Sequence, residues 1–264
     1  MSVARSGEVK IAYEVRGEGE PLVMIHGLGY DRHGWGPLPD LLAVDFRVVL
    51  IDNRGVGESD VPDGPYAVSQ MAADVAAVLD DAGVAETNVL GVSLGGYIAQ
   101  EFTLTYPERV RKLVLASTAP GGPRSHPMPA AGMEAFGRFP TMEREAGLRL
   151  MVENSLGEHG VRERPELVEE IYRYRLERAP SIAGWQAQAY AGATFDAYDR
   201  IGSIDVPTLV LQGGADTVVD PRNAELLVEL IPKARAELVP DRGHLMLWQE
   251  GEQVAHIVKE FLQP

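Results

Sequence analysis

The sequence predicts an α/β fold: a mostly parallel eight-stranded sheet with helices on both faces and a helical insertion late in the chain. Three observations predict it. Short β-branched, apolar runs alternate with stretches of helical periodicity, as a parallel sheet covered by helices requires. The alternation stops after Thr118 and resumes only at Val206, with helix signals alone in between. The chain, 264 residues long and 45% hydrophobic, can bury roughly three quarters of its extended surface in one sizeable domain.

Residues 2–5 and 9–15 read as an opening hairpin, and residues 22–25, 46–51, 88–92, 113–116, 208–211 and 236–239 as buried strands. Residues 68–82 place Val75, Val78, Leu79 and Ala82 at helical spacing, with Asp74, Asp80 and Asp81 expected on the wet side. Residues 250–262 read as a closing helix. From Pro120 to Pro129 the chain is crowded with proline and glycine. Helices are predicted beyond it over 130–139, 141–156, 165–178 and 181–194. Thr141 and Ser181 look like helix N-termini, and Pro165 suits a first helical turn. The expected organisation is a core of residues 1–122 and 196–264 and a helical cap of residues 123–195. Such a cap would roof the C-terminal strand ends, where ligand sites of these sheets open.

A formal net charge of −15 repels phosphate backbones and anionic membrane surfaces, so neither nucleic acid nor membrane is an expected partner. The first ten residues lack the apolar core of a signal peptide, and no apolar run approaches spanning length, so a cytoplasmic setting is expected. The lack of cysteine excludes disulfides, thiolate catalysis and Cys-ligated zinc. His33, His126, His159 and His256 show no metal-ligand spacing, and no metal is expected.

Gly91-Val-Ser-Leu-Gly95 stands between an apolar strand and a helix-like stretch, the setting of a strand-to-helix turn that holds a serine hydroxyl out of the fold. Glycine is needed where backbone passes close to that turn, and Ser93 is expected in a strained conformation. A serine hydroxyl becomes nucleophilic only beside a base that a third group orients. The strand through 208–211 ends in Gly213 and Gly214 and delivers Asp216; the strand through 236–239 leads to Gly243 and His244. Asp216 is the expected acid and His244 the expected base. Asp220, placed before Pro221 where an N-cap belongs, and Asp241 compete with Asp216. The backbone N–H groups of Leu94, after the serine, and of Leu28, in the loop after the 22–25 strand, are the expected oxyanion donors. His26 is expected to order that loop, and residues 52–59 to form a tight turn, since they lack the Gly-Lys-Ser/Thr of a phosphate loop. Tyr30 and Trp35, by chain proximity, and Phe136, Phe139, Met142 and Trp185, from the cap, are candidate substrate contacts. Met133, Met151 and Tyr190 share their character, and packing alone explains much of such a set. Cap arginines such as Arg124, Arg138, Arg149 and Arg175 suit solvated helix faces or a substrate carboxylate.

The motifs His26-Gly-Leu-Gly29, residues 52–59, Gly91-Val-Ser-Leu-Gly95-Gly96, residues 106–115, Gly213-Gly-Ala-Asp216 and Gly243-His244 together resemble the α/β-hydrolase superfamily over nearly the whole chain. The order Ser93, Asp216, His244 is that of its triads. The chain is similar to the cofactor-free, serine-nucleophile branch holding small esterases, enol-lactone hydrolases, carbon–carbon bond hydrolases and non-haem haloperoxidases. The resemblance implies hydrolysis of a small carboxylic ester or lactone through an acyl-serine, with no cofactor. Enol-lactone or carbon–carbon hydrolysis in aromatic catabolism is the near alternative. A ligand receptor that retains the triad is the far one.

Overall fold

Along residues 20–25, Leu22 and Met24 enter one hydrophobic core while Val23 and Ile25 enter another, because successive strand side chains point to opposite faces. The same alternation recurs along the central strands, so the sheet is buried on both sides. The computed structural model describes residues 1–263. Its strands are β1 (Ser2–Ser6), β2 (Val9–Arg16), β3 (Glu20–Ile25), β4 (Phe46–Ile51), β5 (Thr87–Val92), β6 (Val110–Ala116), β7 (Thr208–Gly213) and β8 (Ala234–Val239). They form one 8-stranded sheet in the order β1-β2-β4-β3-β5-β6-β7-β8. The first two pairings are antiparallel and the rest parallel.

The helices are α1 (Leu38–Leu42), α2 (Val68–Asp81), α3 (Leu94–Thr105), α4 (Ala130–Arg138), α5 (Arg144–Glu163), α6 (Pro165–Glu177), α7 (Ile182–Thr194), α8 (Arg222–Leu230), α9 (Met246–Gln249) and α10 (Gly251–Leu262). Helices α2, α3 and α8 cover one face of the sheet, α1 and α10 the other. Among the described residues no helix is long and apolar enough to cross a membrane.

Helices α4 to α7 fill the interval between β6 and β7. Val152, Leu156, Leu167, Val168 and Ile171 form a third apolar cluster with Leu245 and Trp248 from the chain beyond β8. The interval is closed at its base by an antiparallel bridge between Gly121 and Asp196. Ser181 caps α7, its hydroxyl accepting the Gly184 N–H at 3.1 Å, and Pro165 opens α6. Thr141 is not a cap: its hydroxyl donates to the Arg138 carbonyl at 2.8 Å, closing the preceding turn, and α5 starts at Arg144. Helix α5 runs on past Leu156 to Glu163, bent where Gly157 takes φ 72°.

Asp74 departs from its expected place on the wet side of α2. It is 2% exposed and pairs with the Arg54 guanidinium at 2.6 and 2.7 Å. A lone carboxylate in an amphipathic pattern reads as solvated; here an arginine from the loop after β4 makes its burial tolerable. Removing one partner of a buried pair strands the other charge, at a cost of roughly 3 kcal/mol or more. Asp74→Ala is therefore expected to lower unfolding stability by about that amount, read from urea midpoints, while Asp80→Ala on the exposed side stays within about 0.5 kcal/mol of the parent.

Candidate active site

Loops from the C-terminal ends of β3, β5, β7 and β8 meet under α4, α5, α6 and α7. The β5–α3 turn sets the geometry. Ser93 takes φ 56° and ψ −121°, a region that costs a non-glycine residue on the order of 1–3 kcal/mol. The turn is held there from both sides: the Ser93 N–H donates to the Ala116 carbonyl at 2.9 Å, and the Ser93 carbonyl accepts from the Gly96 N–H at 2.8 Å and the Thr118 hydroxyl at 2.9 Å. A Cβ at Gly95 would strike the carbonyls of Ile25 and His26, and one at Gly91 the Gly95 carbonyl. Among the described residues the Ser93 hydroxyl has no hydrogen-bond partner; it faces the cavity that His244 also lines.

His244 Nδ1 lies 2.8 Å from Asp216 Oδ2. The carboxylate can only accept, so Nδ1 carries the proton and Nε2 is left with a free lone pair in the neutral ring. Asp216 is 3% exposed and fully engaged: Oδ1 accepts the N–H groups of Val218 and Val219 at 2.8 and 2.9 Å, and Oδ2 also accepts Gln212 Nε2 at 3.0 Å. The loops bearing the two residues are bound to each other through the Ala215 N–H and the Arg242 carbonyl, 2.9 Å apart. Asp220 is occupied elsewhere, by the backbone N–H and guanidinium of Arg222. Asp241 sits exposed in a turn at φ 57°.

In the loop after β3 almost every backbone N–H is spoken for. Gly27 donates to His26 Nδ1 (2.7 Å), Gly29 to Gln188 Oε1 (2.9 Å), Tyr30 to the Gly27 carbonyl (3.3 Å), Asp31 to the Tyr174 hydroxyl (3.3 Å) and Arg32 to Asp52 Oδ1 (2.7 Å). His33 and Gly34 donate to Asp31. Among the described residues Leu28 alone in this run has an N–H without a protein acceptor, and so does Leu94 at the start of α3. Orphaned donors beside a cavity are what a developing oxyanion needs.

His26 acts inside this loop. Its Nε2–H donates to the Gly34 carbonyl at 2.8 Å while Nδ1 accepts from Gly27, so the neutral ring is satisfied at both nitrogens. It stacks on Tyr30 with ring centres 4.6 Å apart. Burial pushes its pKa down to about 3, and the bond to Gly34 opposes this only in part.

The cavity has a volume of about 130 Å³ and is walled by apolar side chains. Tyr30, Phe136, Phe139 and Trp185 line it, as does Met151. Trp35 and Met142 do not. Trp35 is fully buried against the His26 ring, in the core with Leu38 and Leu42. Met142 lies beyond the tight turn of residues 139–141, which sends Phe139 inward in its place. Met133 and Tyr190 are exposed. Val218, Leu245, Leu247 and Trp248 were missed, although they follow Asp216 and His244 as closely as Tyr30 follows the first loop. Gln188 was missed too; its signal is the spacing of three from Trp185, which puts both on one face of α7. Arg175 lines the cavity, donates to the Gly29 carbonyl and lies 4.2 Å over the Tyr30 ring.

A family described as alpha/beta hydrolase fold matches residues 20–251. A poly(3-hydroxyalkanoate) depolymerase of Ectopseudomonas oleovorans is 33% identical over 249 residues, covering 92% of this chain and 84% of its own. A 2-hydroxy-6-oxononadienedioate/2-hydroxy-6-oxononatrienedioate hydrolase of Burkholderia vietnamiensis is 33% identical over 280 residues, covering 100% of this chain and 94% of its own. The solved structure of a thermophilic esterase from Thermogutta terrifontis superposes with a TM-score of 0.83 at 30% identity, covering 96% of this chain and 93% of that one. The chain belongs to the α/β-hydrolase fold family and is a hydrolase.

The buried neutral state of His26 makes stability depend on pH. An unfolded histidine titrates near 6.5, whereas folded His26 titrates at about 3. Between those values the unfolded chain binds the proton and the native one does not. Its contribution is thus fully present above the unfolded value and is lost on acidification toward the folded one, by up to about tenfold in the unfolding constant per pH unit. His26→Gln, which keeps a donor for Gly34 but does not titrate, is expected to flatten the fall in urea midpoint from neutral to mildly acidic pH. Parallel falls in both proteins would show that His26 is not the group responsible.

Proposed function

We propose that this member of the family is a serine hydrolase of small carboxylic esters or lactones, working through an acyl-serine. The observation that carries the reading is the His244–Asp216 pair facing the same apolar cavity as a serine without a partner. His244 Nε2 takes the Ser93 proton as Oγ adds to the substrate carbonyl, and the electron pair moves onto the carbonyl oxygen between the amides of Leu28 and Leu94. Collapse expels the alkoxide, which leaves with the proton held on His244; water then repeats the cycle on the acyl-serine. Asp216 holds the ring in the tautomer this requires and steadies the imidazolium. A turn of the Ser93 side chain closes the bond to Nε2, since catalytic hydrogen bonds are often loose before substrate binds.

The cavity supports a small, largely apolar substrate group: an engineered apolar cavity of about 150 Å³ takes up benzene, and this one holds about 130 Å³. Residues 123–195 serve as the cap and residues 1–122 with 196–264 as the core. The expected partner is a small-molecule substrate, in a cytoplasmic setting, and the charge of −15 speaks against nucleic acid and anionic membrane surfaces.

One observation favours a second reading. Arg175 faces the cavity with no carboxylate partner among the described residues, as recognition of an anionic substrate would need. Cleavage of a carbon–carbon bond in a carboxylate-bearing ring-cleavage product uses the same serine and amides.

Labelling with a fluorophosphonate, followed by peptide mapping, is expected to modify Ser93, and Ser93→Ala to lower kcat by about 10⁴-fold or more on a p-nitrophenyl ester. Labelling at another serine, or full activity in the variant, would end the proposal. The logarithm of kcat/KM is expected to rise with pH at slope one along its acid limb, because only the neutral imidazole accepts the serine proton. Carboxylate-bearing ring-cleavage products turning over faster than neutral esters would move the assignment to the second reading.

A further inference from the structure

The loop that carries the Leu28 amide has no secondary structure of its own, and the residue after Leu28 is held from the cap. Gln188, fully buried on α7, accepts the Gly29 N–H at 2.9 Å and donates to the Arg54 carbonyl at 2.8 Å. Arg175, on α6, donates to the Gly29 carbonyl and lies 4.2 Å over the next residue's ring, Tyr30. Both peptide groups of Gly29 are therefore gripped by side chains from the insertion, one from each helix. Gly29 takes φ 72°, a conformation glycine reaches with little penalty, so the residue has no intrinsic preference that would hold the loop in this shape. The core pins the other side, with Asn53 donating to the His26 carbonyl at 2.9 Å.

We propose that Gln188 and Arg175 are positioning residues for the oxyanion hole: by clamping Gly29 they aim the Leu28 N–H at the oxygen that forms above Ser93. The proposal rests on the serine-hydrolase reading and adds that the cap, besides roofing the site, completes its transition-state scaffold. The plane that carries the Gly29 N–H adjoins, at the Leu28 Cα, the Gly27–Leu28 plane that carries the Leu28 N–H, so loss of the Gln188 acceptor frees the adjoining plane to rotate and lets the Leu28 backbone shift with it. Displacing one oxyanion donor by even an ångström costs roughly ten- to a hundredfold in rate. No substrate charge is involved, which separates this role of Arg175 from carboxylate binding.

The test uses uncharged p-nitrophenyl butyrate and the full-length protein, with Gln188→Leu, Arg175→Met and Arg175→Lys. Both Gln188→Leu and Arg175→Met are expected to lower kcat by roughly ten- to a hundredfold with KM within about twofold. They are expected to weaken inhibition by a trifluoromethyl ketone, whose hemiketal carries the oxyanion, by the same factor. Binding of the matching unreactive amide should stay unchanged, and Arg175→Lys, which keeps a donor, should recover part of the loss. Arg175 is half-buried, so its variants report on the clamp even where Gln188→Leu fails to fold. A rise in KM with kcat and ketone affinity intact would overturn the proposal and make the two residues substrate contacts. So would parental kinetics in the Arg175→Met protein. A wild type that turns over no ester and escapes fluorophosphonate labelling would remove the serine-hydrolase reading and this proposal with it.

Discussion

The close approach of the β5–α3 turn to the end of β3 is the constraint on which the rest of the site depends. β3 and β5 are parallel neighbours in register at Ile25 and Gly91, so both strands release their chains at one level of the sheet. Gly95 then lies against the Ile25 and His26 carbonyls at a spacing that admits no side chain, and Gly27 lies close against the Ser93 Cβ. This packing brings the chain at Leu28 and at Ser93 to the wall of one small cavity. The strain at Ser93 is sustained because its backbone is bound to β6 on one side and to α3 on the other.

A loop that must leave one N–H unpaired has to pair the others, or the whole segment becomes costly to bury. The residues around it meet that need with side chains from several places. His26 satisfies Gly27 and Gly34 at once, which requires the neutral ring, and burial among aromatic rings keeps it neutral. Asp52 accepts the Arg32 and Glu58 N–H groups and pairs with the Arg32 guanidinium, which also reaches Glu58. Burial pushes the Asp52 carboxyl up, and these donors pull against it. Tyr174 bonds Asp31 through both the backbone N–H and the carboxylate, and Arg178 reaches the same carboxylate at 3.2 Å. The segment read from sequence as a tight turn, residues 52–59, supports the loop after β3 from below through Asp52.

What was legible in the sequence follows from whether a signal is local. The central strands are apolar runs buried on both faces, and alternation alone assigns Leu22 and Met24 to one core and Val23 and Ile25 to the other. The Gly-x-Ser-x-Gly turn, the strand-end Asp216 and the Gly-His turn are local patterns; Ser93 and His244 line one cavity, and Asp216 lies behind His244 at its Nδ1. Asp74 was not legible, because its burial is decided by Arg54, twenty positions away in sequence and fixed in space only by the sheet. Trp35 misled for a related reason: proximity along the chain to a cavity loop does not say whether the indole faces the cavity or the core. Helix α7 carries Gln186 as well as Gln188 among apolar residues, and only the spacing of three from Trp185 sets Gln188 apart.

That last case bears on how the insertion is to be understood. A lid that merely excluded solvent would need an apolar underside and a hinge, and Phe136, Phe139 and Trp185 would suffice for the first. Helices α6 and α7 do more: they supply polar partners to Gly29 and Asp31, beside those that His26, Asn53 and Asp52 supply from the core, because the strands end before the loop begins and offer no ladder to its peptides. Each such bond is worth about 1 kcal/mol when made, and an orphaned buried group costs more than that when it is broken. Lifting α6 and α7 as a rigid unit would expose the Gly29 and Asp31 groups together, and so would disturb the loop along with the entrance. Substrate access by smaller movements, of α4 and the proline-rich segment before it, leaves those bonds intact. On the proposed function, the insertion thus divides into a part that can yield to substrate and a part, α6 and α7, whose bonds to Gly29 and Asp31 hold the loop after β3.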